Sequence, residues 1–272
     1  MESMRLLWRA LVKFDRDRGL FLASGIAFQA LLCLVPFTLL VLSFAGTYFI
    51  SDDQAIVHVG RYLEQAAPAL DPAIRRGLLE IIGQRGTYGV VGTIGLLWIA
   101  TTLFGWLRIA LNDIFGVSEP KGTVRGLLQD LGMIVLSGAA FFVSVGLTAF
   151  VEYLQRMRSA LFPAATGRLL GFVLAYPLPF LVILLICFLI YRFVPNRRVG
   201  SRDALWGALF TGVLWEAAKH LFTWYVAAFG SYSLVYGSLS APAVLMVWTY
   251  YSAAVLLLGA EVTALRGGAA GR

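Results

Sequence analysis

Long apolar stretches separated by short polar segments run through the whole 272-residue chain. A helix needs about 20 apolar residues to cross a bilayer, and six stretches are long enough to do so. They lie at about 22–49, 88–110, 127–150, 169–194, 204–229 and 241–264. No polar stretch is long enough to form a separate soluble core. The pattern therefore predicts an all-α, polytopic membrane protein with six transmembrane helices in a single membrane domain, residues 1–272.

The composition supports a membrane location, and the distribution of charge sets an orientation. Hydrophobic residues make up 59% of the chain and charged residues 14%, whereas about a quarter of the residues of a soluble domain are charged. The N-terminus, the second and fourth loops with their flanks and the C-terminus carry 14 Lys and Arg residues, against 7 in the first and third loops. Because cytoplasmic loops are the richer in Lys and Arg, we expect both termini to be cytoplasmic. The same rule accounts for the net charge of +7 without a nucleic-acid partner.

Residues 1–19 form a cytoplasmic segment with the pattern of an amphipathic, interfacial helix. Four basic side chains share one face of this helix, and apolar side chains lie roughly opposite. The basic face consists of Arg5, Arg9, Lys13 and Arg16, and the apolar face of Leu7, Leu11 and Phe14. Such a helix can lie on the inner leaflet with its basic side toward the lipid head groups. A solvated helix packed on the protein's own loops explains the pattern equally well.

The first loop, at about 50–87, is the only extensive segment predicted outside the membrane. We expect two short amphipathic helices in this extracytoplasmic loop, within 52–66 and 73–84, which cap the outer face of the protein. Within the spans, Pro36, Pro177 and Pro179 remove backbone donors. Because proline interrupts the hydrogen bonding of a helix, we expect kinks at these three positions.

Three ionisable residues, Glu216, Lys219 and His220, lie within little more than one turn of the fifth span. An ionised side chain at mid-span costs roughly 2.5 to 3.5 kcal/mol. Glu216 is therefore expected to pair with Lys219 at i, i+3, or to accept a hydrogen bond from His220 at i, i+4. Small residues that precede Glu216 at a spacing of four predict a closely packed neighbouring helix. They are Ala204, Ala208 and Gly212. A structural ion pair and part of a transport path are equally good interpretations of the charged group.

Two further polar residues are candidates for a substrate path. Gln29 in the first span suits an interhelical hydrogen bond, with a ligand contact as the alternative. Glu261 lies near the inner end of the sixth span, close to Arg266. A salt bridge between Glu261 and Arg266 at the membrane boundary is the default expectation, and a gate at the inner mouth is the alternative.

The sequence contains no recognisable catalytic or metal site. The segment from Glu216 to His220 resembles the HExxH motif but lacks its first histidine, and the other histidine, His58, is predicted on the outer side. A zinc ion would therefore lack ligands. Cys33 and Cys187 lie in apolar runs, as small hydrophobic residues do. We expect a protein without enzymatic activity, cofactor or metal. Its expected partners are membrane lipids, with envelope proteins or a second copy of the chain as further candidates, and no nucleic acid.

Several segments resemble the YihY/BrkB family of bacterial inner-membrane proteins. The most specific are YRFVPNRRV (191–199), ALWGALFTGVLWEAAKHLFTWYV (204–226) and YGSLSAPAVLMVWTYYSAAVLLLGAEVTA (236–264). GIAFQALLCLVPFTLLVLSF (25–44) and ALNDIF (110–115) extend the resemblance over nearly the whole chain. Phe28 and Gln29 depart from the family pattern, which commonly has tyrosine there.

The resemblance implies a six-span protein of the bacterial inner membrane with both termini inside, in agreement with the loop charges. The family has carried the labels of ribonuclease BN and of a virulence factor, and the resemblance implies a role in moving lipids or other envelope components. A nuclease would need clustered carboxylates that hold a divalent ion. The adjacent pair Asp52 and Asp53 is predicted on the outer side, away from RNA, so ribonuclease activity is not expected. The alternative to a transporter is a non-catalytic structural or adaptor protein of the envelope.

Overall fold

The computed structural model describes residues 2–48, 72–117, 177–228 and 240–268, together with 126, 131–135, 138–139 and 146. The helices with defined bounds are α1 (Glu2–Arg16), α2 (Gly19–Tyr48), α3 (Pro72–Gly83), α4 (Arg85–Ile114), α5 (Pro177–Phe193), α6 (Ser201–Ala228) and α7 (Ser240–Arg266). Over these residues the structure contains no strand. The prediction of an all-α protein is confirmed for this part of the chain.

Three stretches among the described residues are long and apolar enough to cross a membrane: Gly19–Phe44, Arg85–Ile114 and Pro242–Arg266. They correspond to the first, second and sixth predicted spans. Helix α6 covers the fifth predicted span and is long enough, but the charged group in its second half lowers its hydropathy. The described apolar part of the fourth span, Pro179–Phe193, is shorter. Most of 127–150 lies outside the described residues, so the count of six spans stays a prediction.

The chain divides into two compact units, one of Met1–Phe28 with Leu103–Arg272 and the other of Gln29–Thr102. In the first unit, α6 packs against both α5 and α7, and α1 packs against α7. The core of this unit includes Leu111, Ile114, Phe115, Tyr191, Val194, Ala204, Ala208, Leu257, Ala260 and Ala264. The prediction of a single membrane domain stays a prediction.

Two glycine–threonine pairs bring α6 and α7 close together in the first unit. The hydroxyl of Thr263 occupies the space where a Cβ on Gly207 would lie, and the hydroxyl of Thr211 does the same at Gly259. Each threonine donates a hydrogen bond of 2.9 Å to the glycine carbonyl four residues earlier in its own helix. Because glycine lets a neighbouring helix approach its backbone, these pairs set the small distance between α6 and α7.

The small-residue stripe predicted on α6 is also in close contact with its surroundings. Ala204 and Ala208 are fully buried. A Cβ on Gly212 would lie 3.0 Å from the ring of Phe180 in α5. The stripe therefore packs closely, as its spacing predicts.

A tight turn joins α1 to α2. Arg18 adopts a left-handed conformation with φ of 55°, and its N–H donates to the carbonyl of Asp15 at 3.0 Å. Gly19 follows, and the ring of Phe14 occupies the space where a Cβ at this position would lie. Phe14 can keep its place only because residue 19 has no side chain.

In the second unit, α2 and α4 approach each other at small and polar residues. A Cβ on Gly92 would lie 3.1 Å from the carbonyl oxygen of Pro36 and 3.0 Å from the backbone nitrogen of Leu40. Nearby, the Ser43 hydroxyl donates to the carbonyl of Arg85 at 2.5 Å. The two backbones are therefore in direct contact at Gly92.

The described residues test the predictions about the three prolines and the first loop only in part. Helix α2 runs through Pro36. Pro177 and Pro179 lie in the first turn of α5, whose preceding residues are outside the described ranges. The three kinks stay predictions. Helix α3 confirms a helix in the second half of the first loop, whereas the helix expected within 52–66 lies outside the described residues.

Candidate functional site

The ammonium group of Lys13 has three oxygen partners from three parts of the chain. Lys13 Nζ donates to Asp17 Oδ2 at 2.6 Å, to the backbone carbonyl of Ile114 at 2.7 Å and to Glu261 Oε2 at 2.7 Å. A lysine ammonium has three N–H donors and no acceptor. The three oxygens therefore match its full hydrogen-bonding capacity. We call the oxygens of Asp17, Ile114 and Glu261 the ammonium cluster.

Glu261 is the most deeply buried member of this cluster. Its side chain is 0% exposed and that of Lys13 is 18% exposed. Its second oxygen, Oε1, is buried without a hydrogen-bond partner. Removing one member of a buried ion pair typically costs about 3 to 5 kcal/mol, because the other charge is left uncompensated. The ionised form of Glu261 therefore requires a cation at the position of the Lys13 ammonium.

Local structure explains how the other two oxygens reach this position. Lys13 and Asp17 are four residues apart across the end of α1, a spacing that brings helical side chains together. Ile114 is the last residue of α4, and the carbonyls of the last turn of a helix lack partners within that helix. A cation at such a helix end is also favoured by the helix dipole. The Lys13 ammonium thus satisfies the last carbonyl of α4, whereas the carbonyls of Leu111, Asn112 and Asp113 accept backbone hydrogen bonds from the residues that follow the helix.

A cleft of about 390 Å³ opens beside Lys13. Its charged lining residues are Arg9, Lys13, Arg16, Asp17 and Asp113, and its other lining residues are Trp8, Val12, Ile114, Gly116 and Leu265. Glu261 does not line the cleft, but Lys13, which does, contacts it. Basic, acidic and apolar side chains therefore face the same space in front of the ammonium cluster.

These contacts correct one prediction made from the sequence and leave another open. Glu261 pairs with Lys13 and not with Arg266, whose guanidinium lies 4.8 Å from the centre of the Trp206 ring. The basic face of Arg5, Arg9, Lys13 and Arg16 on a membrane surface stays a prediction, and the Lys13 ammonium contacts the ammonium cluster. Helical periodicity gives the face on which a residue lies, but not what a partner helix presents to that face.

The charged group of α6 forms a separate site. Lys219 Nζ lies 2.8 Å from Glu216 Oε1, which is the predicted i, i+3 pair, and their side chains are 39% and 36% exposed. His220 is exposed and makes no hydrogen bond with Glu216, although the structure describes both residues. Glu216 and Lys219 therefore neutralise each other, and His220 is not part of their contact.

The packing of α6 on α7 separates this pair from the ammonium cluster. The glycine–threonine pairs place Glu261 level with residues 207–211 of α6. Glu216 follows Trp215, whose ring centre lies 5.6 Å from that of Trp248 in α7. At 1.5 Å per residue, Glu216 is about 10 Å further along α6 than the level of Glu261. The two sites are therefore distinct along the helix pair.

Gln29 belongs to the second unit, where its Oε1 accepts a hydrogen bond of 3.1 Å from Thr102 Oγ1. This is the interhelical hydrogen bond expected of Gln29. It joins α2 to α4 within the unit.

Several residues of the site and its support were not identified from the sequence. The spacing of four residues between Lys13 and Asp17 could have indicated their contact. No sequence feature indicates the contact with the Ile114 carbonyl, because every residue has a carbonyl. Tyr191 is fully buried, and its hydroxyl donates to the Leu256 carbonyl and shares a hydrogen bond with Thr211 Oγ1, both at 2.7 Å. The sequence feature that could have identified Tyr191 is its place in the YRFVPN segment. Tyr191 thus links α5 to both helices of the close α6–α7 contact.

The ALNDIF segment at the end of α4 has a structural role as well. Asn112 Oδ1 accepts a hydrogen bond of 2.8 Å from the backbone N–H of Asn196. This contact holds the connection between α5 and α6 against the end of α4. Among the described residues, no group of three or more His, Cys, Asp and Glu side chains is placed to hold a metal ion.

Comparison with known proteins finds membrane proteins that are similar to this one over most of the chain. It is similar to UPF0761 membrane proteins of Cronobacter sakazakii (29% identical, covering 97% of this chain and 88% of the relative), Vibrio atlanticus (28%, 94% and 80%) and Alkalilimnicola ehrlichii (30%, 92% and 56%). The chain thus spans little more than half the length of some relatives. No solved structure matches it. The model of the family described as virulence factor BrkB matches residues 10–270. The chain therefore belongs to the BrkB family of membrane proteins.

Proposed function

We propose that this protein lies in the bacterial inner membrane with both termini in the cytoplasm, and that it moves a lipid or another amphiphilic envelope component. The single observation that carries the proposal is the charged cleft in front of the ammonium cluster. In the proposed orientation, the cleft opens at the cytoplasmic boundary of the membrane, where the head group of an inner-leaflet lipid would lie.

The lining of the cleft suits an amphiphile. Ligand sites combine apolar walls with a few polar groups that fix orientation. Here Trp8, Val12 and Leu265 supply apolar surface, and Arg9 and Arg16 supply positive charge. The adjacent Glu261 is buried in an apolar helix, and ionisable residues inside the membrane commonly mark substrate paths. Glu216, Lys219 and His220 would be a second polar element further along α6.

A translocation assay in vesicles tests the proposal. Purified protein is reconstituted into liposomes that contain fluorescent phospholipids or other labelled amphiphiles, and the rate at which the label becomes accessible to a membrane-impermeant quencher is measured. The wild type is expected to exceed empty vesicles, and the double variant Arg9→Gln/Arg16→Gln to be slower than the wild type. Arg5→Gln is the matched control, because Arg5 is exposed on the same helix but does not line the cleft. Rates equal to those of empty vesicles across several labelled substrates would refute the proposal.

A non-transporting structural or adaptor protein is the second candidate, and the Glu216–Lys219 contact favours it. The two charges satisfy each other at 2.8 Å without a substrate, as a purely structural pair would. The double variant Glu216→Gln/Lys219→Met removes both charges together and leaves neither unpaired. A cellular phenotype equal to that of the wild type at equal protein level supports the structural role, and loss of function at equal level supports a transport path. Neither candidate requires enzymatic activity.

A further inference from the structure

We infer that the ammonium cluster is an exchangeable binding site for a primary ammonium group, which Lys13 occupies in this structure, and that the ligand is the phosphoethanolamine head group. The inference rests on the proposed function and names the class of head group that the cleft would take.

The geometry of the cluster selects for N–H donors. Three oxygens, from Asp17, Ile114 and Glu261, surround one ammonium at 2.6 to 2.7 Å. A primary ammonium fills these positions with its three hydrogens. A quaternary ammonium, as in choline, has no N–H donor and carries methyl groups where the oxygens would have to approach. The cluster therefore distinguishes ethanolamine from choline.

Electrostatics allows Lys13 to be exchanged for a ligand but not simply to be removed. Glu261 is 0% exposed, so its carboxylate must keep a cation next to it. Replacement of one ammonium by another leaves the charge of the site unchanged. An amine ligand can therefore displace Lys13 without leaving a buried carboxylate unpaired, whereas a ligand that carries no cationic group cannot.

Lys13 has both a route out of the cluster and another carboxylate to contact. Its side chain is partly exposed and lines the cleft, and a lysine ammonium is carried on a flexible four-carbon stem. Asp113 is exposed and lines the same cleft. When a ligand takes the cluster, the displaced ammonium can turn into the cleft toward Asp113.

The rest of the cleft suits the phosphate of the same head group. Arg9 and Arg16 are exposed and line the space in front of Lys13, and guanidinium groups bind phosphate with two parallel hydrogen bonds. A head group with an ammonium on one side and a phosphate on the other would place opposite charges against the cluster and the two arginines. Phosphoethanolamine has this arrangement, either free or as part of a phospholipid.

Chemical rescue of an emptied cluster is the first test. Lys13→Ala is expected to lower the thermal unfolding midpoint of the detergent-solubilised protein by about 5 to 15 °C, because Glu261 loses its cation. Ethylammonium should raise that midpoint in a saturable way, since a ligand that binds only the folded state stabilises it. Tetramethylammonium at the same ionic strength should not. A variant that responds equally to both cations would overturn the inference.

The Glu216–Lys219 ion pair of α6 supplies a matched control. Lys219→Ala removes a lysine from a carboxylate at a similar distance, but that pair is more than one third exposed, and among the described residues Glu216 is the one oxygen partner of the Lys219 ammonium. Ethylammonium should therefore leave the midpoint of Lys219→Ala unchanged. An equal rescue of both variants would show a general effect of amines and would overturn the inference.

A comparison of the lipids that the wild-type protein retains tests the ammonium site even if Lys13→Ala does not fold. The protein is solubilised from vesicles of equal phosphatidylethanolamine and phosphatidylcholine content, and the retained lipids are measured by native mass spectrometry. We expect phosphatidylethanolamine to be retained at least about tenfold more, a ratio that corresponds to about one lost hydrogen bond. Equal retention of the two lipids would overturn the inference. Displacement of the bound lipid by free phosphoethanolamine supports a site for the soluble head group as well, and its absence supports a site restricted to the lipid.

The binding tests and the translocation assay test different proposals, so either proposal can be refuted without the other. Selective retention of phosphatidylethanolamine without translocation in vesicles refutes the proposed transport function and supports the ammonium site. Translocation in vesicles without any preference for a primary amine supports the transport function and overturns the ammonium site.

Discussion

An alanine at position 207 would force α6 away from α7. Its Cβ would lie 2.9 Å from the carbonyl oxygen of Gly259 and 3.0 Å from the Cβ of Thr263, with the Thr263 hydroxyl nearer still. Rotation of the Thr263 side chain can move the hydroxyl, but neither the backbone oxygen nor the Cβ. Because carbon atoms in contact are normally about 3.5 to 4.0 Å apart, the helices must separate by roughly 0.5 to 1 Å.

The expected cost follows from this overlap. Extra methyl groups in a well-packed interior typically cost about 1 to 3 kcal/mol. An alanine also favours a helix over glycine by up to about 1 kcal/mol, which would hide part of the loss. Gly132→Ala measures this gain alone, because Gly132 lies in a described helical segment and a Cβ there has nothing within 4 Å. Gly207→Ala is therefore expected to be less stable than Gly132→Ala by about 1 to 3 kcal/mol.

Unfolding in mixed micelles measures this difference. The purified variants are titrated with sodium dodecyl sulfate, and unfolding is followed by far-ultraviolet circular dichroism and by tryptophan fluorescence, to which Trp215 and Trp248 at the α6–α7 contact contribute. Gly259→Ala should show a similar loss, because its Cβ would lie 2.5 Å from the Tyr191 hydroxyl and 3.0 Å from the Thr211 Cβ. The reasoning is wrong if Gly207→Ala and Gly259→Ala are both as stable as Gly132→Ala.

Three further substitutions can be measured in the same assay. Arg18→Val should lower stability relative to Arg18→Gly by at least about 1 kcal/mol, because residue 18 has a left-handed φ that a β-branched side chain tolerates poorly; equal stability would contradict this. Tyr191→Phe should cost about 1 to 3 kcal/mol, since it removes two buried hydrogen bonds, and an unchanged midpoint would show that they contribute nothing. Gln29→Leu should cost only about 0.6 kcal/mol, the usual contribution of one interhelical hydrogen bond in a membrane, so a loss of several kcal/mol would indicate a further role for Gln29.

The positions of the helices could be predicted from the sequence because hydropathy is a local property. The first span was predicted at 22–49 and α2 extends over Gly19–Tyr48, and the sixth was predicted at 241–264 and α7 extends over Ser240–Arg266. The ends differ by a few residues because apolar pattern does not show where helical hydrogen bonding stops. The Glu216–Lys219 pair was also predictable, since a spacing of three residues on one helix fixes their distance.

The ammonium cluster could not be predicted in the same way. Lys13 and Glu261 meet because α1 packs on α7, and neither residue has a local signal for the other. Glu261 had a nearer basic residue, Arg266, which contacts the ring of Trp206 instead. The glycine–threonine contacts are an intermediate case. The Gly-x-x-x-Thr spacing is visible at residues 207–211 and 259–263, but the sequence does not show that these two segments face each other.

The separation of Lys13 and Glu261 along the chain has a consequence for biosynthesis. Glu261 follows Lys13 by 248 residues, and translation at 5 to 20 residues per second takes about 12 to 50 s to cover that distance. During this interval α1 has been made, but the carboxylate that its lysine will contact has not. The cluster can form only after α7 has been synthesised, so the Lys13–Glu261 contact cannot hold the first helix in place until nearly the whole given sequence has been translated.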